Sequence, residues 1–116
     1  TLAARLGTTT SANIDLRGYL GYVIYTRVTA VAGAGTIQTS FDTGLNGTSF
    51  LVLLSSAAGL TSSHFIAGFP AALAGTSGYN AVGGAPMGRY GRIRVINSSA
   101  VGGNEVTFET SIFLVR

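Results

Sequence analysis

The apolar residues of this chain recur at every second position. In the stretch 20–29, Leu20, Tyr22, Ile24, Thr26 and Val28 share one face of an extended chain, and Val23, Tyr25, Arg27 and Thr29 the other. The same period returns in "RYGRIRVIN" (89–97), where Ile93 and Val95 oppose Tyr90, Arg92 and Arg94. It appears again in "EVTFETSIFLVR" (105–116), where Val106, Phe108, Ile112 and Leu114 oppose Glu105, Thr107 and Glu109. No segment sustains helical spacing beyond a weak trace at "PAALAG". Strands separated by Gly-rich turns therefore predict an all-β protein, a single antiparallel β-sandwich of jelly-roll-like form.

Organisation follows from punctuation. Residues 1–13, "TLAARLGTTTSAN", lack periodicity and read as an N-terminal arm ordered against a neighbour, with the sandwich domain at 14–116. Glycines 18 and 21 interrupt the first long strand pattern. "AGAG" (32–35) and "DTGLNG" (42–47) read as turns around a strand at 36–41. "SFLVLLS" (49–55) reads as a strand buried on both sides. A long Gly-rich loop spans 57–87, with short strands in "HFIAGF" and "GYNAV". The last two strands read as a terminal hairpin, placing Glu109 opposite Arg92 or Arg94.

Charge narrows the function. Of 116 residues only 9% are charged, against 47% hydrophobic, and the net charge of +3 is carried by seven arginines without any lysine. A typical soluble domain is about 25% charged. A chain this poor in charge covers its outside with Ser, Thr, Gly and Asn or with other protein, and arginine is the cation suited to such interfaces. Lysine-dependent Schiff-base and P-loop chemistry is excluded. The absence of cysteine excludes disulfides and thiolate chemistry and fits a reducing cytoplasm. No apolar run reaches the roughly 18 residues of a membrane helix, so no membrane partner is expected.

Candidate chemistry is sparse. "RYGRIRV" has one aromatic where an RNA-recognition strand carries two or three, so no specific nucleic-acid partner is expected. "FDTG" matches the Asp-Thr-Gly signature of aspartic proteases, in which two such loops in a homodimer would pair their carboxylates, with Asp42 as acid/base. The match ends after three residues, and turn-forming chemistry is the favoured explanation of it. His64, the sole histidine, lacks a Gly-x-Ser-x-Gly elbow anywhere in the chain and is expected on a loop or at the surface. One histidine and four dispersed carboxylates suggest no metal or cofactor.

Together, "VTAVAGAGTIQTSFDTGLNGTSF" (28–50) and "PMGRYGRIRVINSSAVGGNEVTFETSIFLV" (86–115) resemble the small β-sandwich structural proteins of tailed bacteriophages, most closely capsid decoration or cement proteins. The resemblance implies a non-enzymatic subunit made in the host cytoplasm. It would sit on the capsid exterior as a homotrimer and bridge neighbouring major capsid proteins. A tail, neck or fibre component is the alternative of the same style. The expected contacts are Leu2, Arg5 and Leu6 on the arm, Phe69, Leu73 and Tyr79 on the long loop, and Arg92, Arg94, Phe113 and Val115 on the strands.

Overall fold

A computed structural model describes residues 3–19, 21–44, 46, 48–68, 78–81 and 89–115, with side chains at all of these except 78–81 and 115. Ten strands occur among them: β1 (Ala3–Arg5), β2 (Thr8–Thr10), β3 (Ile14–Asp15), β4 (Gly21–Val31), β5 (Ile37–Gly44), β6 (Leu51–Ser55), β7 (His64–Gly68), β8 (Gly78–Ala81), β9 (Tyr90–Asn97) and β10 (Val106–Val115). They form two sheets, ordered β1-β10-β4-β7-β8 and β2-β9-β5-β6, with β3 also pairing β9. All pairings are antiparallel except the parallel addition of β8 to β7.

The order has a nested logic. Leaving aside short β3 and appended β8, the first strand pairs with the last and the second with the last but one. Successive strands cross from sheet to sheet except in the β5–β6 hairpin. This is the wrapping of a jelly roll, two Greek keys closed on one core. The expected fold class is therefore the observed one.

The period of two does what it predicts. Tyr22 and Ile24 of β4, Ile66 of β7, and Val106 and Phe108 of β10 meet Ile37 and Phe41 of β5 and Ile93 and Val95 of β9 between the sheets. The rings of Tyr22 and Phe41 lie with centroids 4.4 Å apart at 38°. Gly91 leaves room for this contact, since a Cβ there would stand 2.5 Å from Cζ of Phe41. Gly18, at φ +83°, takes the chain between β3 and β4 through a conformation that side chains disfavour.

Four expectations need correction. Residues 3–10 are not an arm laid on a neighbour: β1 extends one sheet against β10 and β2 extends the other against β9, crossing at Leu6 and Gly7. Edge strands leave unpaired N–H and C=O groups, and the chain's own start satisfies them. The last two strands are not a hairpin, because nesting sends β9 to β2 and β5 and β10 to β1 and β4. Glu109 consequently lies opposite Arg27 and is paired with it at 2.6 Å. Asp42, Thr43 and Gly44 belong to β5 rather than to a turn. Finally, β6 is an edge strand, with Leu51 79% and Val52 56% exposed.

Candidate functional site

Two polar clusters stand out, one on the outer face of the β2-β9-β5-β6 sheet and one between the sheets. The first grows from strand parity. On β5, Gln38, Ser40 and Asp42 alternate with core-facing Ile37, Thr39 and Phe41. On the neighbouring β9, Arg92 and Arg94 alternate with Ile93 and Val95, and the register sets Asp42 opposite Arg92 and Ser40 opposite Arg94.

Both guanidinium groups converge on one carboxylate. Arg92 Nε donates to Asp42 Oδ2 at 2.9 Å, and Arg94 donates through Nε at 2.5 Å and through Nη2 to Oδ1 at 3.2 Å. Ser40 Oγ donates to Oδ1 at 2.9 Å. Asp42 is 1% exposed. Burial pushes its carboxyl up, but the hydrogen bonds from Arg94, Arg92 and Ser40 outweigh burial and hold it below the ordinary carboxylate range. The group is a fixed anion under two cations, one of which lies 4.4 Å from the centroid of Phe50. A shallow hollow of about 120 Å³ beside it is lined by Gln38, Ser40, Val52, Ser55, Arg94 and Ile96.

The second cluster crosses the core. Thr26 of β4, Thr39 of β5 and His64 of β7 are joined by contacts of 2.8 Å between the threonine hydroxyls and 2.7 Å from Thr39 Oγ1 to His64 Nε2. Nδ1 lies 3.0 Å from the Ser62 carbonyl oxygen. A carbonyl can only accept, so Nδ1 carries the proton, Nε2 accepts from Thr39, and Thr39 accepts from Thr26. The chain of three side chains ties the two sheets together. Burial pushes the imidazole pKa down, partly offset by the Ser62 carbonyl. His64 is thus a core residue, 3% exposed, rather than the expected loop or surface histidine. The Thr39–His64 pair has nucleophile–base spacing, but Thr39 is fully buried between the sheets.

The remaining expected contact residues are scattered. Arg5 ends β1 and lines a cleft of about 300 Å³ between the sheet edges, with Thr9, Thr10, Ser11 and Thr110 among its other walls. Leu6 is half-buried in the crossover to β2. Phe113 is 66% exposed on the outer face of β10. Val115 pairs with Gly21 and Tyr79 with Ile66 through their backbones, while their side chains lie outside the described residues, as do Leu2, Phe69 and Leu73. Of those with described side chains, Arg92 and Arg94 alone share a site. Among the described residues no group of carboxylates and histidine has metal-binding geometry, and no helix is long and apolar enough to cross a membrane.

Comparison with protein families, curated proteins and solved structures finds no match for this chain.

Proposed function

We propose that this chain is a non-enzymatic structural subunit of a virion, a capsid decoration protein that self-associates as a homotrimer and bridges neighbouring major capsid proteins. The observation that carries the reading is the distribution of apolar and reactive groups. Leu51, Val52, Phe113 and Tyr25 are exposed on strands of both sheets, whereas Asp42, Thr39 and His64 are buried and hydrogen-bonded. Isolated exposed apolar residues are ordinary, but here they accompany a surface with few charges to separate them. The phage-like character of the segments at 28–50 and 86–115 supplies the virion context, with the capsid exterior as the location.

An assembly subunit of this kind stabilises a shell by burying surface across joints, in proportion to affinity and occupancy. The test is native mass by size-exclusion chromatography with light scattering, followed by cosedimentation with purified undecorated phage shells. A trimer that saturates shells at a fixed copy number is expected. A chain that stays monomeric and fails to sediment with shells overturns the reading. Peptide cleavage abolished by Asp42→Asn would establish the protease alternative instead.

A further inference from the structure

We infer that the outer face of the β2-β9-β5-β6 sheet, centred on Arg92 and Arg94, is a docking surface for an acidic patch on a different protein. The inference rests on the assembly reading above and adds the chemistry of the partner. Two guanidinium groups share a single carboxylate, so the cluster keeps one unneutralised positive charge. Their side chains are only 31% and 26% exposed, and the bonds to Asp42 hold them in place. The ordering cost that flexible surface arginines meet on binding is thereby reduced. Arg92 reaches Asp42 through Nε alone, leaving its terminal nitrogens free of that carboxylate.

A second copy of the chain is a poor source of the missing anion. The sequence holds four carboxylates. Asp15 is paired with Arg17, Glu109 with Arg27 and Asp42 with the cluster itself, and Glu105 accepts from the Gly103 N–H. Each copy carries +3, so two copies meeting here add charge of the same sign. With three of the four acidic side chains already paired to arginine, complementary charge is better supplied by another molecule.

The surroundings favour protein over nucleic acid. The hollow beside Arg94 is walled by Val52 and Ile96, and Leu51 is exposed on the neighbouring edge strand. Aliphatic side chains around buried-stem arginines are the makings of a protein interface. Binding of single strands relies on aromatic faces free to stack bases and on cations spread along a groove. Here Phe50 is covered by Arg92, and Tyr90 carries Arg89 at 5.1 Å from its centroid.

Fluorescence anisotropy with labelled decaglutamate at low salt tests the inference, with oligothymidylate of the same charge as comparison. Decaglutamate should bind more tightly than the oligonucleotide. Arg92→Gln and Arg94→Gln should each weaken it several-fold, and Arg27→Gln, on the opposite sheet, should leave it unchanged. Asp42→Asn removes the internal counter-charge while its side-chain oxygen still accepts from the guanidinium groups, and should tighten binding several-fold in a variant that circular dichroism shows to be folded. Tighter oligothymidylate binding through the same arginines, unchanged affinity in the two glutamine variants, or no gain in Asp42→Asn each overturns the inference. Shell attachment separates the two readings. If Arg92→Gln/Arg94→Gln chains still decorate shells fully, the docking face fails and the virion role stands. If shells are ignored while decaglutamate binds through Arg92 and Arg94, the virion role fails and the docking face stands.

Discussion

Single residues in the core show where the fold is tightly satisfied and where it is not. Asp42 and His64 have partners for their polar atoms, but the Tyr22 hydroxyl is buried and has no hydrogen-bond partner among the described residues. Burial alone pushes its pKa up to about 12. An unsatisfied buried hydroxyl costs about 1–3 kcal/mol relative to a solvated one. Removing it while keeping the ring leaves the contact with Phe41 in place. Tyr22→Phe should therefore stabilise the chain by about 1 kcal/mol, raising the melting temperature by roughly 4 °C for a domain of this size. Calorimetry of the two proteins checks this, and a lower melting temperature in the variant would show that the hydroxyl has a partner.

Among the elements, residues 3–10 belong to both sheets. β1 and β2 each cover an edge strand, and the crossover between them is tied down from the far end of β9. Asn97 donates its backbone N–H to the Gly7 carbonyl at 2.8 Å and its side-chain amide to the Arg5 carbonyl at 3.0 Å. With each intramolecular hydrogen bond worth about 1 kcal/mol net, deleting residues 1–10 should cost about 3 kcal/mol or more. Urea unfolding would show it as a lower midpoint. An unchanged midpoint would return these residues to the status of a detachable arm. The sequence made strand identity legible because alternation is local: the faces of β4, β9 and β10 follow from it directly. Strand pairing was not legible, because adjacency in sequence suggests a hairpin while jelly-roll wrapping joins strands over seventy residues apart, such as Arg27 with Glu109. The Asp42 cluster was hidden for the same reason. Its arginines were visible on one strand, but their carboxylate sat in a segment with turn-forming residues. His64 was readable in principle, since it stands two positions from Ile66 and shares its face.

For the whole molecule, the two clusters combine into one response to acid. The folded-state pKa of His64 is lowered from 6.5, so the unfolded chain binds protons more readily. Its contribution is fully present above pH 6.5 and is lost as pH falls below that value toward the folded-state pKa. Asp42 is lowered from 3.8, and its contribution is present above that pH and lost as pH falls through the folded-state pKa. Exposed Asp15, lowered to about 2 by its bonds from Arg17, follows the same sign in the lower range. The core therefore weakens first, near neutrality, and the outer face only in stronger acid. Among the described residues no carboxylate is bonded to His64: its partners are the Thr39 hydroxyl and the Ser62 carbonyl, and Tyr22 is the other titratable group among the buried residues of β4. A charged imidazole there would gain no ion pair to offset its desolvation. Melting temperature should fall between pH 7 and pH 5, with a slope in stability of no more than about 1.4 kcal/mol per pH unit from this one group. His64→Gln cannot take up the proton and should flatten that interval while leaving the decline below pH 4 intact. Asp42→Asn should do the reverse. A wild-type profile that is flat from pH 7 to pH 5 would mean that the link between the sheets tolerates a charge, and that the buried histidine is not what sets the acid limit of the fold.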